Sequence, residues 1–150
     1  MSRRLLWLAG VLLVWPPLAA LAAEQQLTLG DQVFRFSVAA DPETRRQGLM
    51  GQVLAPQTGM LFDFPAGTRP AIWMHNMQIS LDLLFVDASG RIQHVFAEVP
   101  PCQQTPCSIY QAREPMRYVL EVPAGTAQAL GLKPGDQLDV SQLPPSAPAQ

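Results

Sequence analysis

Prolines and glycines cut this chain into short pieces. Fifteen prolines and ten glycines are spread over 150 residues, so no stretch between them supports a helix longer than about three turns. What remains is a series of short apolar runs bounded by turn residues. The expected class is therefore mainly β (α+β): seven or so strands in a compact barrel or two packed sheets, with two short helices.

Local signals place the pieces. Leu27–Leu29 and Val33–Ala39 flank Gly30-Asp31 as a hairpin, with Phe34, Phe36 and Val38 on one face. Asp41 caps a short helix that Pro42 opens and Gly48 ends, with Arg45 and Arg46 in its last turn. Strands are expected at Met60–Phe64, Ala71–Met77 and Ile79–Val86, and the Asp87-Ala-Ser-Gly90 turn leads into Ile92–Val99. Met116–Val122 follows, then a helix around Thr126–Leu130 and a last strand at Gln137–Val140.

The N-terminus has the layout of a secretory leader. Arg3 and Arg4 precede the apolar run Leu5–Val14, and Ala19-Ala-Leu-Ala-Ala23 supplies a peptidase site. Residues 1–22 are thus expected to be a signal peptide, 23–140 a single β-rich domain and 141–150 a disordered proline-rich tail. Pro16-Pro17 argue against an uncleaved anchor; contact with a membrane is expected only if the leader stays attached. Without Arg3 and Arg4, 8 basic residues stand against 12 acidic ones, a net charge of −4, which excludes a phosphate-attracting patch and a nucleic-acid partner. A periplasmic or secreted location makes Cys102 and Cys107, set in a loop between prolines, a structural disulfide in expectation. Their four-residue spacing is unlike the Cys-x-x-Cys of redox catalysts.

Arg46-Gln-Gly-Leu-Met50, Gly59-Met-Leu-Phe62, Trp73-Met-His-Asn76 and Leu81-Asp82 come in a distinctive order. So do Val86-Asp-Ala-Ser-Gly90, the two Pro-Cys pairs, Val119-Leu-Glu121 and Gly135-Asp136. On these motifs the chain resembles the domain of unknown function 192 family over about residues 27–140. The resemblance implies a small, often exported, largely β protein and no established activity. One departure stands out: where the family commonly shows lysine, asparagine and threonine after Trp-Met, this chain has His75, Asn76 and Met77.

Period-two alternation along Ala71–Met77 puts Trp73, His75 and Met77 on one side and Ile72, Met74 and Asn76 on the other. His75 and Met77 are candidate copper ligands, imidazole and thioether both suiting that metal. Trp73, Met74 and Asn76 could line a pocket with an aromatic wall and an amide, Met50 and Met60 beside them; the bland alternative is that Trp73 packs and Asn76 bonds to local backbone. Asp82, alone in an apolar strand, needs a partner such as Arg46, Arg69 or Arg117, or a raised pKa; unpaired, it could act as an acid or base with His75 or His94. His94, between Ile92 and Phe96, is read as a core histidine. No Gly-x-Ser-x-Gly, phosphate loop or zinc spacing occurs.

The expected function is that of an exported binding or accessory module. Its site is placed around Trp73, Met74, Asn76 and Asp82, and its ligand is a small molecule, a saccharide or a peptide. Copper handling through His75 and Met77, and hydrolysis through Asp82 with a histidine, are the two alternatives.

Overall fold

The turns expected at Gly30-Asp31 and Asp87–Gly90 form, and each joins the strands on either side of it. The structure is a computed structural model that describes residues 24–144; the leader, 1–22, and residues 145–150 of the tail lie outside the described residues. Strands β1 (Glu24–Leu29) and β2 (Gln32–Ala39) pair antiparallel around Gly30-Asp31. The Asp41 side chain accepts from the N–H groups of Glu43 and Thr44, both at 2.9 Å, and starts helix α1 (Pro42–Gln47). These donors hold the exposed Asp41 carboxyl below its ordinary pKa. Gly48, at φ +49°, ends the helix.

The chain then returns as β3 (Thr58–Asp63), parallel to β2. A short β4 (Ala71–Trp73) precedes the hairpin of β5 (Leu81–Val86) and β6 (Ile92–Val99), then come β7 (Ile109–Gln111), β8 (Tyr118–Pro123) and helix α2 (Thr126–Ala129). Six strands form one sheet in the order β1-β2-β3-β8-β5-β6, and β4 and β7 form a separate ribbon. Of the two architectures expected, the fold takes the two-sheet one: β1 and β6 are free edges, so no barrel closes.

The large sheet is buried on both faces, which explains why β5 is apolar on both sides apart from Asp82, and why all six of its residues are buried. Alternation sends Leu84, Val86, Leu120 and Val122 to the face covered by α2 and Leu138. Leu83, Phe85, Val119 and Phe62 go to the other, covered by Leu49, the ribbon and the methionines. Two central close approaches demand glycine. A Cβ at Gly59 would sit 2.7 Å from the Phe36 ring, and one at Gly90 would overlap the Leu138 carbonyl.

Three expectations need correction. The strand Ala71–Met77 stops at Trp73, because Asn76 adopts a left-handed conformation, φ +57°, that breaks the pleat. Gln137–Val140 is not a strand: Gln137 makes an isolated bridge to Arg91, and the Leu138 N–H donates to Gly90 at 2.8 Å. Leu143, read from sequence as part of the tail, is buried beside Leu27 and Leu138.

Candidate functional site

On the face away from α2, the sheet meets helix α1 on one side and the β4–β7 ribbon on the other. Between them lies a cleft of about 340 Å³, within the range of ligand cavities, though near its small end. β3 contributes Phe62 to it and β8 contributes Glu121. α1 and the turn after it supply Arg45, Arg46 and Met50; the ribbon and its extension supply Ile72, Trp73 and His75.

Glu121 is the unusual group. It sits in a central strand between Met60 of β3 and Leu83 of β5 and is only 4% exposed. Among the described residues its carboxyl has no hydrogen-bond or ion-pair partner. Burial alone pushes its pKa from 4.5 to about 8, because a lone carboxylate in an apolar setting is far costlier than the neutral acid. At neutral pH Glu121 is therefore a carboxylic acid with an unused O–H donor beside a cleft.

The cationic side chains differ in freedom. Arg45 is committed: it donates to the carbonyls of Ala40 at 2.6 Å and Asp63 at 2.9 Å, and lies 5.4 Å over the Phe64 ring. Arg46 pairs only with Glu43, and both side chains are about 70% exposed, an arrangement worth about 0–1 kcal/mol. Trp73 is 44% exposed, and its ring lies beside that of His75, centroids 4.9 Å apart and planes tilted by 37°.

The disulfide Cys102–Cys107 forms, with Cα atoms 5.9 Å apart, and suggests an oxidising compartment. Backbone bonds from Cys102 N–H to Met74 and from Asn76 N–H to Cys102, at 2.9 and 3.1 Å, tie that loop to the chain leaving β4. The crosslink thus steadies the segment that carries His75. No helix of the described residues is long and apolar enough to cross a membrane.

Of the residues singled out from sequence, Trp73, Met50, His75 and Met77 border the cleft. Met60 and Met74 are buried in the core beside it, and the exposed Asn76 serves the turn through its backbone, its carbonyl accepting from Gly51 at 3.3 Å. All five methionines after Met1 belong to this half of the core, where the pliable thioether fills irregular gaps. Among the described residues no group of three or more His, Cys, Asp and Glu side chains is arranged to hold a metal ion.

Asp82 lies elsewhere. It is fully buried on the α2 face, and none of the expected arginines meets it. Its carboxylate accepts from three backbone N–H groups instead: Glu98 at 2.7 Å, Gly125 at 3.2 Å and Ala127 at 2.7 Å. Arg117 pairs with Asp63 at 2.5 Å. His94 is not a core group either; its side chain is 37% exposed and 3.2 Å from Glu114.

Sequence reasoning passed over Glu121 as a site residue. Its signal was the one that picked out Asp82: a single carboxylate on one face of an apolar strand, Tyr118-Val-Leu-Glu-Val122.

The model of the DUF192 family, described as "Uncharacterized ACR", matches residues 25–140. The chain is similar to a protein of Sinorhizobium meliloti 1021, described as a candidate transcription regulator, with 37% identity and a TM-score of 0.68 over 76% of this chain and 89% of that one. It is also similar to a protein of unknown function from Novosphingobium aromaticivorans DSM 12444, with 28% identity and a TM-score of 0.67 over 84% and 91% of the two chains. No functionally curated protein matches.

Proposed function

The chain belongs to the domain of unknown function 192 family, and from that premise we propose that it is an exported small-molecule-binding module. Its site is the cleft between α1 and the ribbon. One observation carries the reading: Glu121, buried and without a partner, borders a space large enough for a small ligand. The Glu121 carboxyl, held in an apolar strand without a protein partner, is open to a ligand that enters the cleft. Trp73 offers the aromatic surface at the mouth, and Met50 and Met77 offer an adaptable apolar lining. The disulfide supports a periplasmic or secreted setting. The acidic balance of the chain gives no electrostatic footprint for nucleic acid.

Copper handling is the second reading, favoured because His75, Met77 and Met50 all border the same cleft. One titration separates the two. With Trp7→Phe and Trp15→Phe in the full chain, Trp73 is the sole tryptophan. Its emission is followed as N-acetylglucosamine, trialanine, 4-hydroxyphenylacetate or a copper salt is added. The ligand reading expects a saturable change with an organic probe that Glu121→Leu abolishes. The copper reading expects saturable quenching by the metal that disappears in the His75→Ala, Met77→Ala double variant. Silence to every organic probe, or responses that Glu121→Leu leaves untouched, contradicts the first.

A further inference from the structure

The groups around the cleft are of three kinds: basic, acidic and apolar. Of its ionisable lining residues, Arg45, Arg46 and His75 are basic and only Glu121 is acidic. Glu121 is neutral at pH 7, since burial pushes it up to about 8, so it sets no negative charge against an incoming anion. Arg45 is held in place by two carbonyls and contributes a fixed positive field. Arg46 is held only by an exposed ion pair that a better partner can replace, and its planar fork matches a carboxylate in two-point contact. The same lining includes the apolar side chains of Phe62, Ile72 and Met77.

We propose that the cleft binds a small organic carboxylate, its anionic end on Arg46 beside His75 and a hydroxyl or carbonyl oxygen at its far end accepting a hydrogen bond from Glu121. This deepens the binding reading above and rests on it. An amine ligand of the same size meets the opposite arrangement: two arginines lie near its path, and Glu121 must lose its proton to receive it.

The other charged groups near Glu121 leave this arrangement unchanged. Glu43 faces solvent on α1. In the strands beside β8, Asp63 and Asp82 alternate to the opposite side of the sheet, paired with Arg117 and with backbone N–H groups respectively. On β6, one strand further, His94 is engaged by Glu114.

Calorimetry on the full chain with three probes of one shape tests the proposal: 4-hydroxyphenylacetate, the amine tyramine and the neutral 4-methylphenol. At pH 6.5 the acid is expected to bind at least about tenfold more tightly than tyramine. Above the pKa of Glu121 its affinity should fall by about tenfold per pH unit, as the donor is lost. Arg46→Gln should weaken the acid at least about fivefold and leave 4-methylphenol unchanged. Equal or tighter binding of tyramine, affinity for the acid that rises with pH, or no saturable binding of the acid up to ~10 mM overturns the proposal. Binding of 4-methylphenol or tyramine without the acid would overturn the charge assignment alone and leave the cleft a ligand site.

Discussion

Glu121→Gln is expected to flatten the pH dependence of stability between about 4.5 and 8, and to raise the melting temperature at pH 9 above that of the parent. The folded chain keeps the Glu121 proton up to about pH 8, whereas a free glutamate releases it near 4.5. Between those values the native state binds more protons at this site than the unfolded one, so the contribution of Glu121 to stability is fully present below about pH 4.5 and is lost as pH rises toward 8. Each unit of separation corresponds to about 1.4 kcal/mol, which places the loss above pH 8 at roughly 3–5 kcal/mol. Glutamine keeps the shape, cannot ionise and removes the slope. A residual slope at lower pH remains from Asp63, which burial also raises against the pull of Arg117 and Arg45. Thermal melts of both proteins from pH 4 to pH 9 check this; parallel curves would mean that the Glu121 carboxyl has a partner and ionises normally.

The second large effect is expected at Asp82. Asp82→Ala removes the shared acceptor of the Glu98, Gly125 and Ala127 N–H groups. It also opens a void on a face of the sheet that is otherwise packed. Bonds from backbone N–H to a carboxylate are worth about 1.5–3 kcal/mol each, and a buried donor left unpaired is costly. A loss of about 4 kcal/mol, a large part of the stability of a domain this size, is the expected result. Denaturant unfolding measures it, and hydrogen exchange should show protection lost first at Ala127 and Glu98. Asp82→Asn brings an amide donor toward three donors and is expected to destabilise as well. If Asp82 were a catalytic acid in a cleft, Asp82→Asn would keep the fold intact and abolish only turnover.

How much of this was legible in the chain depended on distance along it. The Gly30-Asp31 turn, the Asp41-Pro42 helix start and the Asp87–Gly90 hairpin are encoded by adjacent residues, and all three form. The parallel pairing of β2 with β3 and the insertion of β8 between β3 and β5 join segments far apart in sequence, and no local pattern announces them. The ribbon strand β7 has three residues and no alternation to detect.

At the site, alternation grouped Trp73, His75 and Met77 on the side that meets the cleft, but Met74 and Asn76, also expected there, lie outside it. Trp73 and Met50 reach the cleft, but the left-handed Asn76 turns the chain, so Asn76 lies outside it while Met77 borders it. Both lone carboxylates of the central strands met the same sequence criterion. Which has a partner is set by the loops that close over each face, and only the tertiary structure shows that backbone N–H groups reach Asp82 and none reaches Glu121.

In the free protein Glu121 is protonated and unpaired, available to a ligand. Carbon-13 NMR of its side-chain carboxyl, titrated with and without 4-hydroxyphenylacetate and assigned through Glu121→Gln, tests this most directly. The expected midpoint is near 8 in the free protein and moves higher when the probe is bound, because the bound form holds the proton. A midpoint near the ordinary glutamate value, indifferent to the probe, would contradict it.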